Sequence, residues 1–216
     1  MKMDAGGLEL RNLEAFGVFD GPRILEIGCG DGRVTGTLAA RAGVLAAVDP
    51  GEEALRQAAG RIDGVVFAAA SGEQLPFPGR SFDTLLFTLS LHHQDSRRAL
   101  QEAGRVVRPD GRILVMEPAV DGEVQLLFHC FRDETPELEA AQAALAASGL
   151  SVVKTTQFET DWEFPNKYEF SRYLFAYHDQ ERNPAMETRL FRQIGDKVDA
   201  CPLVLKDRLK LMSLAL

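Results

Sequence analysis

The sequence predicts an α/β fold built on a parallel sheet with helices on both faces. Three observations carry that expectation. Short apolar segments alternate with helical patterns through residues 1–150. One of them, Thr84–Thr88, is almost continuously apolar, the pattern of a strand buried on both faces. Another, Ile24–Ile27, runs straight into the glycine-rich turn Gly28 to Gly32, after which helical spacing begins.

Each element has a local reason. Asp20-Gly21-Pro22 is a turn cluster, and Ile24–Ile27 behind it predicts the first strand. Val34, Leu38, Ala39 and Ala42 keep helical spacing, with Gly43 as the expected C-terminal cap. Val44–Val48 predicts the next strand, which stops at Asp49-Pro50. Glu53–Ala59 predicts a helix, and Val65–Ala69 and Thr84–Thr88 predict the next two strands. Ser96–Val107 predicts a helix closed by the turn Pro109-Asp110-Gly111, and Ile113–Met116 a fifth strand. Thr135-Pro136 caps and starts a helix running through Leu145 to Gly149. Ser151–Phe158 alternates like a strand. Asn183-Pro184 starts a helix with Met186, Leu190, Ile194 and Val198 at four-residue spacing. Arg208–Leu216 fits a strand through Leu209 and Leu211, and a helix through Leu205, Leu209, Met212 and Leu216.

Composition narrows the function. With 216 residues, 45% of them hydrophobic, one domain spanning 1–216 with a full apolar core is expected. The formal charge of −8 lies in residues 1–150, because residues 151–216 carry ten basic and ten acidic side chains. That balance argues against a nucleic-acid binder and suits a neutral or cationic ligand. Cys29, Cys130 and Cys201 include no CxxC pair, so neither a disulfide framework nor a structural zinc is expected. His92-His93 and His129-Cys130 read as structural pairs rather than metal ligands, and no metal is expected. The segment MKMDAGGLELRNLEAF lacks the apolar core of a signal peptide, and no run of 18 apolar residues is present, so a cytoplasmic protein with no membrane partner is expected.

The glycine turn carries the chemistry. Glycines permit positive φ and remove the Cβ atoms that block close approach of a ligand to the backbone. A dinucleotide site calls for G-x-G-x-x-G, and Arg33 occupies the place of its third glycine. Glu26, next to the strand end, repels phosphate and attracts an ammonium or sulfonium. Asp49 follows Gly28 by 21 residues, where a carboxylate can accept from both hydroxyls of a ribose; it can at the same time cap the helix that Pro50 begins. Cys29 reads as a small residue in a tight turn rather than a nucleophile.

The segments ILEIGCGDGR, AAVDP, EQLPFPGRSFDTLLFTLSLHH and RVVRPDGRILVMEP, in this order over about residues 20–120, resemble the class I S-adenosylmethionine-dependent methyltransferases. The likeness is greatest to the small-molecule methylases that include the quinone-biosynthesis enzymes. The resemblance implies a Rossmann-like, seven-stranded, mostly parallel sheet with a mixed antiparallel end. It implies that residues 20–120 form the cofactor-binding core. Glu26, Gly28, Cys29 and Gly30 would surround the methionine moiety, Asp49 would hold the ribose, and Pro50 would pack on the adenine. Ser71, Gly72 and Glu73 would meet the adenine edge. Ser71 stands where many relatives have aspartate, so recognition there leans on backbone groups or the serine hydroxyl. Thr88 would offer its carbonyl to the ammonium, and His93 matches a histidine common in the family. The implied activity is methyl transfer from S-adenosylmethionine to a small, largely apolar molecule.

Two other readings stand beside it. One is a non-catalytic S-adenosylmethionine-binding sensor or partner subunit, which shares the binding motifs. The other is a nicotinamide oxidoreductase, which Glu26 and Arg33 oppose.

Phe158, Trp162, Phe164, Tyr168, Phe170, Tyr173, Phe175 and Tyr177 are eight of the 17 aromatic residues, within 20 positions. They read either as the core of an added subdomain or as a lid closing an apolar acceptor pocket. A helical, aromatic-rich insertion over about 159–202 is therefore expected, with Trp162, Phe170 and Tyr173 as candidate substrate residues. No residue is singled out as a general base.

Overall fold

The computed structural model describes residues 1–216. Its strands are β1 (Lys2–Met3), β2 (Arg23–Ile27), β3 (Val44–Asp49), β4 (Val65–Ala69), β5 (Phe82–Thr88), β6 (Val107–Pro118), β7 (Ser151–Phe164) and β8 (Leu203–Ala215). Its α-helices are α1 (Leu8–Ala15), α2 (Arg33–Ala39), α3 (Glu52–Ala59), α4 (Ser96–Val106), α5 (Glu123–Phe128), α6 (Thr135–Ala147), α7 (Lys167–Tyr177) and α8 (Pro184–Ile194). The strand order is β1-β7-β8-β6-β5-β2-β3-β4. The eighth strand, beyond the seven expected, is the two-residue β1, which pairs antiparallel with Trp162 and Glu163 of β7.

The chain packs as two compact units. The larger comprises residues 10–117, 137–156 and 210–216, and the smaller residues 1–9, 118–136 and 157–209. The physical reason is two separate hydrophobic cores, one gathered on the parallel strands and one on the aromatic segment.

In the larger unit the β2–β3, β3–β4, β2–β5 and β5–β6 pairs are all parallel. β2 and β5 lie inside the sheet, and β5 is buried along almost its whole length, as its apolar run predicts. α4 turns Ala99, Leu100, Ala103 and Val106 inward at three- and four-residue spacing, onto Leu85, Phe87 and Val115. Asp95 caps α4 by accepting from the Arg98 amide at 3.1 Å. The Pro109-Asp110-Gly111 turn falls within β6. Phe82 pairs with Val107 but Thr84 pairs with Arg112, so the intervening residues step out of the ladder as a bulge.

Two local expectations change. α2 ends at Ala39, before Gly43, and Gly43 serves another purpose: a Cβ there would meet the Pro22 carbonyl oxygen at 3.0 Å. α3 starts at Glu52 with Gly51 at its cap, so Asp49 and Pro50 precede the helix rather than begin it.

In the smaller unit, strand periodicity reaches further than expected. Thr160, Trp162 and Phe164 are buried while Asp161 and Glu163 between them are less so. The residues 159–164, expected within a helical insertion, therefore extend β7, and the helical part begins at α7. Asn166 caps α7 by accepting from the Tyr168 and Glu169 amides, and Asn183 caps α8 from the Ala185 and Met186 amides, with Pro184 in the first turn. The ambiguous C-terminal segment is strand. Leu203, Leu205, Leu209 and Leu211 alternate inward, a period-two pattern that a helix would scatter round its circumference.

Candidate functional site

The site is built at the C-terminal ends of β2, β3 and β5, where open parallel sheets bind their ligands. β2 ends at Ile27, and the chain reverses through Gly28 (φ +73), Gly30 (φ +52) and Gly32 (φ +88) before α2. Two of these glycines have close neighbours, rigid at Gly28 and a flexible side-chain tip at Gly32. A Cβ on Gly28 would lie 2.2 Å from the Ser90 Cβ, and one on Gly32 would lie 2.6 Å from Ile62 Cδ1. Gly30 differs. A Cβ there would meet nothing within 4 Å, so this is where the turn presents bare backbone to open space.

Asp49, at the end of β3, secures the turn. Its Oδ2 accepts from the Gly30 amide and its Oδ1 from the Gly51 amide, both at 2.8 Å. Each carboxylate oxygen can take a second donor, so the side chain keeps capacity for a hydroxyl-bearing ligand. Beneath the turn, Glu26 is completely buried. Its Oε2 accepts from Thr35 Oγ1 at 2.6 Å and its Oε1 from Thr88 Oγ1 at 2.8 Å, so one carboxyl group ties β2, α2 and β5 together. Burial pushes its pKa up to about 7, against the opposing effect of the two hydroxyls. Cys29 is pushed up to about 12 by burial first and then by the Glu26 and Asp49 carboxylates, so its thiol stays protonated.

The other expected residues fall into two groups. Ser71 and Gly72 lie in a turn in which the Gln74 amide donates to the Ser71 carbonyl; Gly72 is buried, and a Cβ on it would lie 2.4 Å from Gln94 Oε1. Glu73 is engaged elsewhere, accepting from the Asp95 amide at 2.8 Å at the start of α4. Pro50 is exposed beside Asp49. His93 is exposed, with its ring centroid 3.9 Å from that of His92.

Among residues that the sequence reading passed over, Thr35, Ser90 and Glu117 are fixed here. Ser90 Oγ donates to the Ile27 carbonyl at 2.6 Å and fills the space beside Gly28. Glu117, at the end of β6, accepts from the Leu91 amide at 2.9 Å and contacts His92 Nδ1. A signal existed for Glu117: an acid at the C-terminal end of a parallel strand, followed by proline.

The aromatic candidates belong to the smaller unit. Phe170 is fully buried against Phe164, and Trp162 is 7% exposed between Phe128, Phe164 and Tyr173. Tyr173 is partly exposed. The first two are thus core residues of that unit, whatever else they do.

Residues 25–115 match the family described as a methyltransferase domain. These residues form a methyltransferase domain. The domain is 36% identical over 101 residues to 27-O-demethylrifamycin SV methyltransferase of Amycolatopsis mediterranei, which covers 43% of this chain and 37% of that protein. It is 33% identical over 116 residues to the ubiquinone/menaquinone biosynthesis C-methyltransferase UbiE of Pectobacterium carotovorum, covering 49% of this chain and 46% of that one. The chain thus spans less than half the length of these curated relatives. In fold, it is similar to the crystal structure of YcgJ from Bacillus subtilis, with a TM-score of 0.66 and 19% identity over 97% of this chain and 98% of that one. S-adenosylmethionine is the cofactor of this class, and the methyltransferase domain's own features fit it: a turn open at Gly30, and a carboxylate beside it with acceptor capacity to spare. No helix of the chain is long and apolar enough to cross a membrane.

Proposed function

We propose that the chain transfers a methyl group from S-adenosylmethionine to a small, largely apolar molecule. The observation that carries this reading is the Gly28–Gly30 turn, open to solvent at Gly30 and braced by Asp49, within the methyltransferase domain. S-adenosylmethionine, when bound, supplies a methyl group on a positively charged sulfur. The chain's part is to bind, orient and exclude water. The backbone from Gly28 to Gly30, with Cys29, would receive the methionine portion. Asp49 would accept from the ribose hydroxyls, while Pro50, Ser71 and Gly72 would bound the adenine. Glu26, Thr88 and His93 would lie on the side of the ammonium, Glu26 acting from beneath the turn through Thr88 and Thr35. Glu73, which holds the start of α4, would set the backbone near Ser71 rather than touch the ligand.

Acceptor recognition is assigned to the aromatic unit, with Tyr173 as its accessible member and Trp162 and Phe170 as the packing behind it. The acceptor's apolar character rests on this aromatic concentration and on the absence of a basic excess. Nucleic acid is not an expected partner, since binding to it relies on neutralising phosphates.

The test is transfer of labelled methyl from S-adenosylmethionine to 1-naphthol, an apolar hydroxyl probe, with NAD as a competitor. Label in the organic phase, undiminished by NAD, is the expected result. Failure to bind S-adenosylmethionine, or displacement of it by NAD, would contradict the reading.

A further inference from the structure

A cavity of about 340 Å³ lies in the larger unit between α4 and α6, and none of its lining residues belongs to the glycine turn. Its α4 wall is Arg97, Leu100, Gln101 and Gly104, at the three- and four-residue spacing of one helix face. Ala144 of α6 lines it too, and the Leu216 side chain lies against Gly104. A Cβ on Gly104 would be 3.3 Å from Leu216 Cδ2. Glycine is among the poorest helix formers, yet it stands inside α4 at the point where a side chain would press on Leu216 and occupy the cavity.

The cavity is apolar along its length and cationic at one end. Leu100 is buried in the main core, and Ala144 and Leu150 pack against that core. Arg97, in the first turn of α4, is exposed. The other arginines of α4 have acids: Arg98 lies 4.0 Å from Glu73, and Arg105 pairs with Glu102 at 2.6 Å. The Arg97 guanidinium and the Gln101 side-chain amide have no partner in the chain. The acids nearest in sequence serve the helix start instead, Asp95 accepting from the Arg98 amide and Glu73 from the Asp95 amide. An apolar cavity of this size with a few polar groups at its rim has the character of a small-molecule site. A planar guanidinium matches a carboxylate as a fork, and the first turn of a helix favours an anion. Arg97 to Gly104 spans about 10 Å of helix axis, the reach of a medium-chain fatty acid.

We propose that this cavity binds an amphipathic carboxylate. The carboxylate accepts from Arg97 and Gln101, and the hydrocarbon tail lies over Leu100 and Gly104 towards Leu216. The site is separate from the cofactor and acceptor sites proposed above and does not depend on the methyl-transfer reading. Both parts of the ligand are needed. Acetate has the charge without the tail, and decan-1-ol has the tail without the charge.

The test is titration of the 15N-labelled full chain with decanoate, below the concentration at which it forms micelles, followed by NMR. Saturable shifts are expected at the amides of residues 97–104, of residues 144–150 and of Leu216. Acetate and decan-1-ol should each bind at least about tenfold more weakly. Arg97→Gln should weaken decanoate by about tenfold or more, the loss of a charge-assisted hydrogen bond at an exposed position that the fold does not need. Ala147→Phe, at an exposed position on the cavity wall, should block the cavity and abolish the shifts while the unfolding midpoint stays within a few degrees of the wild type. No saturation, shifts centred on the aromatic unit, equal affinity for decanoate and decan-1-ol, or undiminished decanoate affinity in either variant would overturn the proposal.

Discussion

In the larger unit, the region around the glycine turn is held by short, directional bonds between small groups. Glu26 accepts from two threonine hydroxyls, Asp49 from two backbone amides, and Ser90 donates to a backbone carbonyl. In the smaller unit, the interior is held by ring packing. Phe128, Trp162, Phe164, Phe170 and Tyr173 meet neighbouring rings at centroid distances of 5.0–6.4 Å. The first arrangement fixes individual atoms and leaves open space at one point, Gly30. The second fills space and fixes few polar atoms. Hydrogen bonding at this density suits a place where a ligand must be held in one orientation, and ring packing suits a scaffold.

The contrast can be broken from the aromatic side first, where the largest effect is expected. Phe170→Ala should cost about 3–5 kcal/mol of stability, the loss for a large buried ring together with the cavity it leaves. Urea unfolding checks this. A change below about 1 kcal/mol would mean that Phe170 lines a cavity rather than a core.

The next effect sits under the glycine turn. In the unfolded chain the Glu26 carboxyl ionises near 4.5; in the fold it does so at about 7. Between these values the folded state keeps a proton that the unfolded state has released. The resulting stabilisation is fully present below about 4.5 and is lost as pH rises through about 7. The difference corresponds to on the order of 3 kcal/mol. Glu26→Gln should remove this component, so the variant should lose less stability than the wild type between pH 5 and pH 8. Parallel urea curves for the two proteins at both pH values would contradict the buried-acid account.

The smaller effect separates two glycines of one turn. Gly28→Ala adds a clash with Ser90 to the strain of positive φ, whereas Gly30→Ala adds the strain alone, about 1–2 kcal/mol. Gly28→Ala should therefore be the less stable variant in thermal melts. Gly30→Ala should fold and still bind S-adenosylmethionine poorly, because its methyl group occupies the open face of the turn. Equal melting temperatures together with undiminished cofactor affinity in Gly30→Ala would show that the open face is not used.

The same contrast explains what could be read from the sequence. The glycine turn, Asp49 and the strands around them were legible because positive φ and close backbone approach demand particular residues at fixed spacing. Thr35 and Ser90 were not, because a hydroxyl that bonds a buried acid or a carbonyl leaves no spacing rule along the chain. Asp49 shows a partial reading. The sequence allowed it to cap the following helix, while the structure gives its two oxygens to Gly30 and Gly51 and the cap to Gly51. The aromatic segment was legible as a cluster but not as an architecture. Alternation at Thr160, Trp162 and Phe164 carries β7 on to Phe164, yet beside so many large side chains that period is easily missed. The division into two units was hidden for a related reason, since residues 118–136 and 157–209 build their core together across a long separation in sequence.

The most direct test of the central claim, that the Asp49-braced turn is the cofactor site, is calorimetric titration of the wild type and of Asp49→Ala with S-adenosylmethionine. The account predicts saturable binding by the wild type, and an affinity weaker by about 1–3 kcal/mol in the variant, the loss of charge-assisted hydrogen bonds to the ligand and to the Gly30 amide. Equal affinity in the two proteins, with both folded, would contradict it.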